Sequence, residues 1–317
     1  MKKLLALLVS IVLVLSACSF ALAEEKTYHI GICQLVQHPA LDAATKGFRD
    51  ALTELLGDKV EFDEQNASGD NATCITIVNG FVSANVDLIL ANATPALQAA
   101  QSATFDIPIL GTAVTDYATA LDISDWNGTT GYNVSGTSDL APLDGQAAMV
   151  KELFPDAKEE GLVYCSAEAN SLYQVKAMAE NLQALGYTTT EYAFTDSNDV
   201  TSVVTNACAS SDVIYIPTDN TAASCAEAIR NVVETEKVPA VVGEEGICSG
   251  CGVATLSISY YDLGVATGKM AYEILVNGAD IATMPVEFAP QFTKEYNPEM
   301  AELLGVAIPE DYVAIEG

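Results

Sequence analysis

Apolar positions along this chain follow two alternating patterns. Short continuous runs such as Asp87–Ala91 (DLILA) and Ile107–Val114 have the composition of strands buried on both faces. Between such runs, apolar residues recur at three- and four-residue steps. From Pro39 to Leu56 they are Leu41, Ala44, Phe48, Leu52 and Leu55, one face of a helix, with Pro39 suited to its first turn. The pattern predicts a strand at Tyr28–Leu35, a second beginning at Val60–Phe62, a helix at Asn71–Ala84, the two apolar strands, and between those strands a helix with Thr94 as N-cap and Pro95 at N1.

The second half repeats the plan. Strands are predicted at Gly161–Cys165, Thr188–Phe194, Val213–Ile216 and Val238–Val242, with helices at Ser171–Leu185 (ended by Gly186), Asp199–Ala209 and Ala222–Glu234. Corresponding strands lie about 130 residues apart. Alternating strands and helices with apolar strands imply an α/β fold of two doubly wound parallel-sheet lobes.

Ligands bind outside the carboxyl ends of strands in open parallel sheets, and here those ends are polar. The first half offers Gln34 with His38, Asn66 with Ser68, Asn92 with Thr94, and Thr115 with Asp116. The second offers Ser166, Glu168, Asn170 and Ser171, then Thr195 and Ser197, then Thr218, Asp219 and Asn220, then Glu244 and Glu245. Any one of them could simply cap a helix, but two matching polar rims are what a two-lobed clamp requires. There is no GxGxxG or GxxxxGK[ST], so nucleotide chemistry has no motif and no cofactor is predicted.

Composition narrows the partners. A formal charge of −30 repels nucleic acid and anionic headgroups, so no nucleic-acid partner is predicted. The two arginines, Arg49 and Arg230, fall within predicted helices, where a solvated face is their default. At the amino terminus, Lys2-Lys3 and an apolar run too short for a comfortable membrane span lead into Leu15-Ser16-Ala17-Cys18. That order resembles a bacterial lipobox, in which the cysteine is lipidated and becomes the first mature residue. Ala21-Leu22-Ala23 is a rival, ordinary cleavage pattern. Either way the chain is predicted to be exported. Lipidation of Cys18 would anchor it on the outer face of the cytoplasmic membrane. Of the eight cysteines, seven then remain, an odd number whose pairing the spacing leaves open. Cys248 and Cys251 have redox-motif spacing, but no second pair completes a zinc site, which leaves a local disulfide or two buried thiols.

The segments GICQLVQHPALDAATKGF (31–48), NASGD (66–70), ATPALQA (93–99), TAVTD (112–116), NVSGTSDL (133–140), SAEANS (166–171), YIPTDN (215–220) and GVATLSISYYDLG (252–264) cover the chain nearly end to end. They resemble the ABC-transporter substrate-binding proteins that include tryptophan-binding lipoproteins. The chain departs from that pattern at Tyr117, where the family favours proline, and at Ser259, where many relatives carry an acidic or amide residue. The resemblance implies a type I periplasmic-binding-protein fold whose cleft closes on an amino acid, often aromatic, with ABC permease subunits as partners. It implies lobes at 24–136 plus 258–288 and at 137–257 plus 289–317, after a leader and tether at 1–23. Asn133–Asp139 and Ser257–Tyr261 would be crossover strands, followed by a helix at Asp262–Asn277. It adds Asp42, Ala93, Pro95, Thr137, Ser138 and Asp139 to the candidate binding set. Trp126 is either a lid on the cleft or a surface anchor. Thr94 and Ser171, as helix caps, are the candidates for a ligand carboxylate. For an ammonium the order is Asp219, Asp116, then Glu244, with capping as the competing role of Asp219. Two alternatives stay open: a sugar or nucleoside binder of the same fold, and an exported thiol enzyme using Cys165 or the Cys248/Cys251 pair.

Overall fold

The computed structural model describes residues 26–315. The predicted leader, Cys18 and the Ala21-Leu22-Ala23 site lie outside the described residues. In chain order the first sheet's elements are β1 (Tyr28–Gln34), α1 (Pro39–Leu56), β2 (Val60–Asn66), α2 (Asn71–Ala84), β3 (Leu88–Asn92), α3 (Thr94–Ala103), β4 (Ile109–Val114), α4 (Tyr117–Ala120) and β5 (Val134–Ser138). The chain then builds a second body from α5 (Leu143–Leu153), β6 (Glu159–Cys165), α6 (Ala169–Ala184), β7 (Thr188–Phe194), α7 (Val200–Cys208), β8 (Val213–Ile216), α8 (Asn220–Ser224), α9 (Ala226–Glu236), β9 (Ala240–Val242), α10 (Glu245–Gly250) and β10 (Ala254–Ser257). It returns through α11 (Tyr260–Leu275) and β11 (Glu287–Phe288), then ends on the second sheet with β12 (Thr293–Tyr296), α12 (Pro298–Leu304) and β13 (Val313–Ala314).

The sheets have orders β11-β5-β4-β3-β1-β2 and β13-β12-β10-β9-β8-β6-β7. Every pairing is parallel except β10 with β12. The central strands explain the parallel arrangement: β3, β4 and β8 are buried along their whole length, so helices must cover both faces. In the first sheet Gly31, Ile89, Ile109 and Val134 stand level across four neighbouring strands. The amino-terminal ends of β1, β3, β4 and β5 therefore share one edge, opposite the cleft.

Two glycine arrangements fix local geometry. On α11, Gly264 and Gly268 face Gly47 of α1, and a Cβ on any of the three would run into main-chain atoms of the other helix. The two helices thus pack backbone to backbone. Beneath Tyr117, both Gly111 and Gly136 lack the side chain that would collide with its hydroxyl oxygen. Gly136 has φ +142, a conformation strained for other residues, and the Tyr117 hydroxyl donates to Thr137 O at 3.2 Å.

Three predicted elements are corrected. Ala222–Glu234 is two helices broken at Cys225, because Asp219 caps a separate short turn before α9 begins. Ser257–Tyr261 is not a crossover strand. The strand ends at Ser257 inside the second sheet, and the Ser259 side chain accepts from Asp262 N, so Tyr260 already opens α11. Thr94 is the first helical residue of α3 rather than its cap; Ala93, at φ +91, occupies the cap position. In addition, β5 stays in the first sheet through Ser138, so the first crossing follows it, at 139–142.

Candidate functional site

The carboxyl ends of the two sheets face each other and touch. His38, at the N-cap of α1, has Nε2 3.3 Å from Asn220 Oδ1 on the opposite lobe. Asn220 Nδ2 donates to Glu168 Oε2 at 2.6 Å, so its Oδ1 is the acceptor toward His38. His38 therefore carries its proton on Nε2, and Nδ1 is left as a buried lone pair with no partner. Burial holds this imidazole below its ordinary pKa, which keeps it neutral. The second crossing contact is Gln174 Nε2 to Thr115 Oγ1 at 3.5 Å. Gln174 also donates to Thr218 O and accepts from Thr218 N, so it ties α6 to the end of β8. Nothing in the sequence pattern singled out Gln174, because it sits inside a helix and not at a strand end.

Two more buried polar atoms at this seam lack partners. Asn170 spends its amide N–H groups on Glu168 Oε2 and Thr218 O, leaving Oδ1 as an unpaired acceptor. Thr94 Oγ1, at the start of α3, is likewise unpaired. Their neighbours Pro95, Glu168 and Asn220, with Leu35, Ser68 and Thr221, line an interlobe cavity of about 160 Å³. That is below the ~300 Å³ at which sites for drug-sized molecules begin.

The carboxylates predicted to meet a ligand are already committed. Asp219 accepts from Ala222 N at 2.8 Å, Cys165 N at 2.6 Å and Ser171 Oγ at 2.7 Å. It is the cap of α8, and the same bonds use up Ser171, which lies inside α6 and not at its cap; Glu168 holds that position without a side-chain cap bond. Burial and the neighbouring Glu168 carboxylate push the Asp219 pKa up to about 7. Glu168 itself accepts five hydrogen bonds from Asn170, Asn220 and Thr221. Asp116 caps α4 through Thr119 N, and Glu244 caps α10 through Gly246 N and Ile247 N. Burial pushes Glu244 up to about 7. The competing capping role therefore holds for all three ammonium candidates, since the first free N–H groups of a helix are the nearest donors.

Other predicted residues go elsewhere. Gln34 donates to Asp42 Oδ1 at 2.6 Å and accepts from Thr45 Oγ1 at 2.6 Å, within the first lobe. With exposed Asp42 and Asn66 it lines a separate open groove of about 590 Å³ beside Arg49 and Glu64. Thr137 joins Thr112 and Thr267 in a buried hydroxyl cluster inside the first lobe. Ser138 donates to Thr115 O, and half-buried Ser166 to Phe194 O. Asp139 lies at the crossing, fully buried, accepting from Thr115 Oγ1 at 2.9 Å and Tyr260 Oη at 3.0 Å, and burial raises its pKa to about 6. Trp126 packs, partly buried, on the first-lobe core, which is the anchor role and not the lid. Arg49 pairs with Glu64, and Arg230 with Glu234 and Glu299, away from the seam.

The seven cysteines among the described residues are free, six of them buried. Burial pushes Cys165 up to about 11, and its Sγ donates to Thr195 O at 3.6 Å. Cys248 and Cys251 are buried thiols, also raised by burial. None of these three thiols has the lowered pKa of an activated nucleophile.

Comparison with known proteins points one way. A profile of the family described as ABC transporter substrate binding protein matches residues 29–315. A protein named tyrosine-binding protein, from Clostridioides difficile, is 39% identical over 266 residues, covering 83% of this chain and 76% of its own. An ABC domain from Streptococcus pneumoniae solved in complex with L-Trp superposes with TM-score 0.86 at 34% identity, over 90% of this chain and 97% of that one. A substrate binding protein with adhesive properties from Clostridium difficile, in a ligand-free, open structure, gives TM-score 0.69 at 37% identity, over 92% of this chain and 99% of that one. The fit is poorer to the open structure although its sequence is nearer, so the lobes here are arranged more like those of the L-Trp complex.

Proposed function

Because the chain belongs to the ABC transporter substrate-binding protein family, we propose that it captures an aromatic amino acid between its lobes outside the cell and hands it to a permease, with no chemistry of its own. The relatives that carry a tyrosine-binding name and a bound L-Trp support this ligand class. The observation that carries the reading is the set of buried, unpaired polar atoms at the seam: His38 Nδ1, Asn170 Oδ1 and Thr94 Oγ1. Two are acceptors without a hydrogen to offer. Buried acceptors are costly when unpaired, so the solute that suits them brings donors, as an ammonium group does. Thr94, whose hydroxyl can also donate, begins a ten-residue helix whose free N–H groups suit a carboxylate.

The lobes would swing about crossings at 139–142, 258–259 and 289–292, and Cys18 would carry the lipid anchor. Calorimetric titration of the mature protein with L-tyrosine, L-tryptophan, L-phenylalanine, their des-amino analogues, glucose and adenosine tests the assignment. An aromatic amino acid is expected to bind and its des-amino analogue to lose at least tenfold in affinity, about 1.4 kcal/mol. Equal binding of the two analogues would remove the ammonium from the picture, and tight glucose or adenosine binding would replace the ligand class.

A further inference from the structure

We propose that the pole of the first lobe opposite the cleft rests against a lipid surface, with Phe105 and Tyr132 as the side chains that touch it. Among the described residues Phe105 is the most exposed large apolar side chain, at 72%, and Tyr132 is 50% exposed. Both sit on turns, where small polar residues are the usual occupants. The turns are stiff and tied to each other. Asn133 Nδ2 donates to Thr104 O at 3.2 Å and to Ile107 O at 2.7 Å, which fastens the residue after Tyr132 to both sides of Phe105. Thr104 Oγ1 accepts from Asp106 N and Ile107 N, and Thr130 Oγ1 accepts from Tyr132 N. Two aromatic rings held outward on braced turns lose little freedom on contact.

Position selects the partner. These turns precede β4 and β5, on the sheet edge where β1 also starts. Three strand spacings separate β1 from β5, roughly 15 Å. The nine residues between Cys18 and β1 reach at most about 30 Å. A lipid on Cys18 therefore keeps this pole within reach of the bilayer whenever the cleft is not docked on a permease. Leu55 and Val276, exposed near the ends of α1 and α11, lie toward the same pole. Aromatic side chains favour the headgroup level of membranes, and the overall charge of −30 disfavours attraction by anionic lipid, so the contact is apolar and not electrostatic. The inference rests on the lipid-anchor reading above.

The test is amide hydrogen exchange on the full lipidated protein in phosphatidylcholine vesicles, compared with the mature chain lacking lipid. Residues 104–107 and 130–133 are expected to exchange roughly tenfold more slowly on vesicles. A Phe105→Ser/Tyr132→Ser double variant should lose that protection while keeping solute affinity, which shows it is folded. Absence of protection in the lipidated protein would overturn the proposal. Protection that requires added permease would overturn it as well, in favour of a protein partner. Mass spectrometry of the native amino terminus separates the premises: a chain lacking the acyl mass would remove the tether and this proposal, with solute binding untouched.

Discussion

At the scale of single residues, the seam separates groups that are spent from groups that are available. Asp219 already serves three donors, and an amide cannot accept at both of its heavy atoms. Asp219→Asn is therefore expected to cost about 2 kcal/mol of apo stability and to leave solute affinity within a few-fold, measured by melting and calorimetry. A tenfold loss of affinity at unchanged stability would restore Asp219 as a ligand contact. His38→Ala should differ in binding: affinity falls at least tenfold, while the empty protein loses only about 1–2 kcal/mol, because Asn220 Oδ1 loses its partner as the unpaired nitrogen goes. A large fall in the melting point of the empty protein would mean that His38 is there for packing. That strand ends would form the rims was legible in the residue types. Which rim residue stays free was not, since Asp219 and Asn170 look equally polar in sequence and differ only in which N–H groups the fold brings to them.

At the scale of elements, long periodic segments were readable to the residue: Pro39–Leu56 and Asn71–Ala84 are the observed helices. Ser257–Tyr261 misled because the crossover there rests on the resemblance alone, while the event that ends the strand is local: the Ser259 side chain caps α11. Close helix contact and the pocket beneath Tyr117 depend on pairs of glycines far apart in the chain, which no local pattern exposes. Gly136→Ala is expected to destabilise by about 2–4 kcal/mol, through crowding against Gly111 and Tyr117 and through its positive φ. Chemical denaturation measures it, and a loss under 1 kcal/mol would mean that the strand shifts to make room.

At the scale of the whole molecule, Asp139, Asp219 and Glu244 are buried carboxyls with pKa values raised to about 6, 7 and 7. Their ordinary values lie near ~4, so between pH 4 and 7 the folded protein holds more protons than the unfolded chain. Their contribution is full below that range and is lost as pH rises through 6 to 7. The melting temperature of the empty protein should therefore fall from pH 5 to pH 8, and Asp139→Asn should flatten the slope; a rise over that interval in scanning calorimetry would contradict the assignment. The backbone-to-backbone packing of α1 on α11 has a different use. At Gly47, Gly264 and Gly268 those helices meet main chain to main chain, with no room to slide, so they would form a stationary frame while the other lobe swings. Dyes on exposed Lys46 and Lys269 would keep a constant separation. Moving one of the pair to exposed Thr201 on α7 would turn arrival of the solute into a change of colour, with the first pair as the built-in reference channel of an optical sensor.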